Sequence, residues 1–236
     1  MFVKKKTPIK ASEIASYLNK KFYGKDVEIE TFSSINNIKN NSLIFFTKIV
    51  NSSFEINEKK VFDENLLNTK KNILILIDKN INIKNQNITY ISSNNPRFDF
   101  EDIIANFFTH EEFEPGISSS AIVENDAIIN PTAYIGPNCH IGSKVCIGKN
   151  TKIMANTVIN SNTYIGNNCR IKNNTSIGGE GFSFAKNEER FIHFPHTGKV
   201  LIEDDVWIGS SVTIEKGTID NTIIKTGVKI DDLVHI

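Results

Sequence analysis

Sulfur and indole are scarce in this chain: three cysteines, two methionines and one tryptophan among 236 residues. Cys139 and Cys169 fall on different faces of the repeat set out below and Cys146 points outward from it, so spacing pairs none of them. That excludes a disulfide framework and leaves the thiols as small structural residues of a reducing compartment. An excess of either charge is missing too. The 27 basic side chains balance 27 acidic ones, which removes any electrostatic case for binding nucleic acid. There is no long apolar run: the longest aliphatic stretch, Ile73 to Ile77, is far too short to span a bilayer. The N-terminus is basic, with Lys4, Lys5 and Lys6, and no apolar stretch follows, so no secretory signal is visible and the expected location is the cytoplasm. The 39% of hydrophobic residues suits a soluble globular protein long enough for two units.

What is present is a six-residue repeat. Its first position reads Ile117, Val123, Ile129, Ile135, Ile141, Ile147, Ile153, Ile159, Ile165, Ile171, Ile177, and its fifth is small or β-branched, from Ala121 to Thr175. Such a period is neither helical nor that of a simple strand. It predicts a parallel β-helix in which each hexad is one short strand and a turn, and three hexads close a triangular coil. Ile117, Ile135, Ile153 and Ile171 should then stack on one face, Val123, Ile141, Ile159 and Ile177 on the second, and Ile129, Ile147 and Ile165 on the third. Gly136, Gly142, Gly148 and Gly166, with Asn138, Asn150, Asn162 and Asn168, fall near the corners, where left-handed backbone is tolerated.

The first ninety or so residues read differently. A short helix is expected over 12–19 with Ser12 as its cap, and strands over 27–32, 42–47, 72–77 and 88–91, which together make a small α/β domain. Asn95-Pro96-Arg97 interrupts it. A helix over 98–108 carries Phe100, Ile103, Ile104, Phe107 and Phe108 as an apolar stripe for core or inter-domain packing. The expected organisation is therefore 1–96 as the α/β domain, 97–114 as a linker helix and 115–236 as the β-helix.

A regular solenoid is a scaffold, so function should sit where regularity fails. It fails at 178–199, which reads as an extruded loop, and at an insertion over 218–221. The loop carries Phe182, Phe184 and Phe191 with no repeat to bury them, as if for an apolar ligand or a subunit contact. It also holds His193 and His196. Their spacing could make half of a metal site, but no third ligand is indicated by spacing, and the expectation is no metal; each histidine reads equally as a loop anchor or a substrate contact.

Hexads of this kind resemble the hexapeptide acyltransferases, whose coil is left-handed. The resemblance sharpens at Ile177 to Ala185, Phe194 to Val200, Asp205-Val-Trp-Ile-Gly209, Thr213 to Gly217, Asp220-Asn-Thr222 and Gly227 to Ile236. These segments are similar to the UDP-3-O-acylglucosamine N-acyltransferase family of lipid A synthesis. Ala11 to Leu18, Ser42 to Phe46 and Asn95 to Arg97 are similar to that family's uridine-binding domain and its connection to the coil.

The resemblance implies transfer of a 3-hydroxyacyl chain from acyl carrier protein to the amine of a UDP-acylglucosamine, by a cytoplasmic homotrimer with no cofactor. It implies that Phe45 stacks on uracil, whereas Lys48 and Asn51 stand where the family has Asn and Tyr. Phe182, Phe184 and His193 are implied as substrate contacts. Asp231 matches the aspartate that orients the family's general base, a histidine in an Ile-Ala-His-Asn segment that would begin at Ile236, so the natural chain is expected to continue. His196, at a position that is often glutamine in the family, joins Asp231 as a catalytic candidate. Two alternatives stay open: an acetyl-CoA-dependent nucleotide-sugar acetyltransferase for surface polysaccharide, and a non-catalytic scaffold.

Overall fold

The structure, a computed structural model, describes residues 3–4, 8–47, 63–67, 69–109 and 113–236, in two units, Met1–Glu112 and Phe113–Ile236. In the first, β-branched and aliphatic runs give a five-stranded sheet in the order Phe22–Tyr23, Thr89–Ser93, Ile73–Asp78, Ser42–Phe46, Thr31–Phe32, parallel except at the Phe22–Tyr23 edge. Alternation sends Leu43, Leu74, Leu76 and Ile91 to the face shared with Ile14 and Ile103 of the two helices. Ile44, Ile75 and Ile77 go to the other face.

Helix Ala11–Tyr17 differs from expectation at its start. Lys10 is the N-cap and makes no side-chain cap bond; Ser12 instead donates its N–H and hydroxyl to Asp26, at 2.8 Å each, so a carboxylate distant in sequence does the capping. Helix Pro96–Phe107 starts on Asn95, whose side chain accepts the Phe98 N–H, and buries Ile103 completely in the first unit's core. Among the described residues no helix is long and apolar enough to cross a membrane.

The second unit is the expected three-sided parallel β-helix. Each hexad as far as Ile171 contributes a two-residue strand whose second residue points inward. Strands one coil apart, eighteen residues on until the repeat is interrupted, pair in parallel and stack Ile117, Ile135, Ile153, Ile171, Ile208 and Ile230 in one ladder. Val123, Ile141, Ile159, Ile177 and Ile214 form the second, and Ile129, Ile147, Ile165, Ile202 and Ile224 the third.

The corners run through the left-handed region, φ +54° to +62° at Asn138, Lys144, Asn150, Asn156, Asn162, Asn168 and Asn174, where asparagine is less strained than most residues. Their amides stack: Asn138 donates to Asn156 and Asn156 to Asn174, each at 3.2 Å. The repeat glycines serve another purpose than the one expected. Gly136 is not left-handed; a Cβ there would lie 2.8 Å from the backbone nitrogen of Ala155, so it allows the next coil to approach. At the fifth position, a thiol or hydroxyl donates to a carbonyl of the coil above: Cys139 to Met154 at 3.0 Å, Thr151 to Gly166 at 2.7 Å, Thr157 to Lys172 at 3.1 Å. Burial pushes the Cys139 and Cys169 thiols up, which suits inert structural cysteines.

Candidate functional site

The coil breaks where its own hydrogen-bond rule fails. The acceptor for Thr163, fifteen residues on as for Thr151, would be the Gly178 carbonyl. Gly178, at φ +81°, has turned out of the coil, leaving no room for a Cβ against Thr163 Oγ1. That hydroxyl is buried without a partner.

From there the strand Ser176–Glu180 follows Thr213–Lys216 with a bulge between Ile177 and Gly179, and the chain leaves as an antiparallel hairpin, Phe184–Lys186 against Phe191–His193. Its return lies on the insertion. Thr197 and Gly198 donate their N–H groups to the carbonyls of Thr218 and Gly217, at 2.9 and 3.0 Å, and Lys199 N–H donates to the Asn221 side chain at 2.9 Å. The two irregular stretches of the sequence thus form one feature.

Between them opens a cavity of about 530 Å³, lined by Asn160, Glu180, His196, Lys199 and Lys216 among others. His196 is buried, at 8% exposure. Its Nδ1 lies 3.0 Å from the Phe194 carbonyl and its backbone N–H donates to Glu180 Oε1 at 3.0 Å. The Nδ1–H tautomer inferred from that contact leaves Nε2 free to accept a proton or a ligand. The His196 N–H, followed by Lys216 as nearby positive charge, holds the Glu180 carboxyl below its ordinary range; Lys216 Nζ is 4.0 Å away.

His193 is half-buried, with Nε2 3.4 Å from the Gly181 carbonyl and its ring stacked on His196 at 5.9 Å. One ligand atom from each of Glu180, His193 and His196 falls within 4.8 Å of the others. Gly181 is required here, because a Cβ would sit 2.6 Å from His196 Nε2 and 2.7 Å from Glu215 Oε2. Glu215 in turn has Oε1 3.4 Å from His235 Nε2.

Of the residues singled out in the sequence, His193 and His196 come together. Phe182, 92% exposed, and Phe184 flank them, with ring centroids 4.9 Å apart. Asp231 lies elsewhere. It follows the Lys229–Ile230 strand, accepts the Asp232 N–H at 2.8 Å, and lines a separate cavity of about 290 Å³ with Arg170, Trp207 and Lys229. Phe45 is half-buried on the helix side of its sheet, 4.9 Å from Phe100. It does not line the 390 Å³ cavity of that unit, which is ringed by Lys25, Lys70, Lys71 and Thr89. Lys48 and Asn51 lie outside the described residues. Sequence reasoning missed Glu180, Glu215 and Lys216, since no spacing rule connects Glu180 to histidines across a hairpin.

Comparison with known proteins agrees with the coil. Residues 147–179 match the bacterial transferase hexapeptide (six repeats) family. A UDP-3-O-acylglucosamine N-acyltransferase of Methylobacillus flagellatus is 53% identical over 60 residues, 25% of this chain and 17% of that protein. One from Porphyromonas gingivalis is 50% identical over 60 residues, with the same coverage. A solved structure, the UDP-N-acetylglucosamine acyltransferase of Francisella novicida, superposes with a TM-score of 0.39 at 29% identity, over 51% of this chain and 47% of that one. The chain spans about a sixth of the length of the curated relatives it matches. It carries bacterial-transferase hexapeptide repeats and, over a quarter of its length, is similar to UDP-3-O-acylglucosamine N-acyltransferases.

Proposed function

We propose that this protein transfers a 3-hydroxyacyl group from acyl carrier protein to the amine of a UDP-linked acylglucosamine. The observation that carries this reading is a buried histidine at the mouth of a cavity built where an acyltransferase-type hexapeptide coil breaks. The amine attacks the thioester carbonyl, a C–N bond forms, the C–S bond breaks, and the amine's proton must leave for a base while the thiolate takes one up. No enzyme nucleophile is needed, in keeping with the buried thiols of Cys139 and Cys169. His196, which lines the cavity, serves in this reading as a proton acceptor or substrate contact. Asp231, in its separate cavity, is read as a positioning residue, and Phe45 as the uracil-stacking residue.

The exposed rings of Phe182, Phe184 and Phe191 offer apolar surface to an acyl or pantetheine chain. A prism of flat faces does not enclose a substrate alone, so this reading places three copies around a threefold axis, with hairpin aromatics and Trp207 covered by neighbours. Light scattering should give a trimer mass.

The deciding assay offers the UDP-acylglucosamine with either acyl carrier protein thioester or acetyl-CoA and weighs the product. Hydroxyacyl product from the carrier-protein donor supports the proposal. Acetyl product assigns an acetyltransferase, and no product from either leaves a scaffold. His196→Ala should lower kcat about 100-fold, the size of a general acid–base contribution.

A further inference from the structure

We propose that Glu180, His193 and His196 bind a zinc ion at the base of the extruded hairpin, tying its two ends to the coil. Two imidazoles and one carboxylate are a zinc donor set that leaves a fourth position for water. Two of the three donors, Glu180 and His196, line the cavity. The three donor atoms already lie within 4.8 Å of one another. Bond lengths near 2.0–2.2 Å bring tetrahedral donors to about 3.3 Å, a closure that rotation of the half-buried His193 and the exposed Glu180 supplies while His196 stays fixed.

Three further features fit a metal better than a plain polar cluster. His196 is oriented as metal-bound imidazoles are, its Nδ1 against the Phe194 carbonyl and its Nε2 turned inward. Glu180 meets His196 through a backbone N–H and not through either ring, so both imidazoles keep a nitrogen lone pair for a cation. Gly181 keeps the space beside His196 Nε2 and Glu215 Oε2 clear of any side chain, and the Glu215 carboxylate adds negative charge to that gap. Lys216, 4.0 Å from Glu180, is a cation set against this cluster. The sequence showed only the His193-x-x-His196 half; the third donor arrives from the strand on the other side of the hairpin. The inference stands on metal binding whatever the reaction; zinc on His196 Nε2 takes up the lone pair that acid–base chemistry would use, so with the metal bound His196 is a ligand and not a base.

The test titrates zinc alone into chelator-stripped full chain, against a chromophoric competitor, with magnesium as the comparison cation. One zinc per chain is expected. His193→Ala and Glu180→Gln should each weaken it by at least about tenfold, the loss that even an outer-shell partner produces, and His140→Ala, on the coil beside Glu124, should not. Lys216→Met keeps all three donors and removes the competing charge, so zinc should bind about fivefold tighter, an outcome that misfolding cannot imitate. Absence of saturable zinc binding, unchanged affinity in both donor variants, or no tightening in Lys216→Met overturns the proposal.

Discussion

The coil over 117–177 and the irregular stretches over 178–199 and 218–221 belong to one unit and follow opposite logic. In the coil each side chain's partner is fixed by addition: eighteen residues on for the aliphatic ladder and the corner amides, fifteen for the inner hydroxyls. In the irregular stretch partners are individual, as with Glu180 to His196 and Lys199 to Asn221. The coil buries its aliphatic ladder from Ile135 to Ile177, whereas the hairpin leaves Phe182, Phe184, Phe191 and Ile192 exposed. Periodic contacts supply stability, and the aperiodic ones hold the groups with chemistry, at the cost of an orphaned hydroxyl on Thr163.

The sharpest division between the two regions is in the core. Ile159→Ala, at a fully buried ladder position, should cost about 3 kcal/mol, whereas Phe191→Ala on the hairpin should stay within about 0.5 kcal/mol of the parent. Urea melts of both variants compare them directly, and equal losses would erase the distinction. A finer contrast uses one substitution twice. Thr151→Val removes the donor to the Gly166 carbonyl and the acceptor of the Cys169 N–H and should cost about 2 kcal/mol; Thr163→Val removes an unpartnered hydroxyl and should be neutral or stabilising. If both cost the same, the Thr163 hydroxyl has a partner after all.

The smallest effect is acid dependence just past the break. Lys225, followed by the Thr226 N–H and hydroxyl, holds the Glu203 carboxyl down to about 2 from an ordinary 4.5. A depressed carboxylate contributes stability above its unfolded value and loses it as pH falls toward the folded one. Melting temperature should therefore decline between about pH 4.5 and 2 more steeply in the parent than in Glu203→Gln; parallel curves would remove Glu203 from the acid response.

The coil was legible because its rule is local arithmetic: Ile117 to Ile177 at sixes placed all three ladders before any coordinate did. Both breaks were legible as breaks. What spacing could not show was contact between them, since Thr197 reaches Thr218 through pairing that follows no period. The same limit hid Asp26 as the cap of Ser12, fourteen residues away, and Glu180 as the companion of His193 and His196. The repeat glycines were located correctly but for another reason, because close stacking of coils and left-handed turns select the same residue. Asp231 and His196 read as one catalytic set in sequence and line separate cavities in space.

Ile202 sits directly on Ile165, as though the residues between were an interlude in a continuous thread. The coil above and below is bonded as it would be if the excursion were shorter or longer, and lengthening a loop whose ends are already held costs only about 0.6 kcal/mol per doubling. The corner after Ile177 is thus a socket, at which hairpins of other lengths and compositions can be exchanged, by descent or by grafting, while the prism beneath keeps its register.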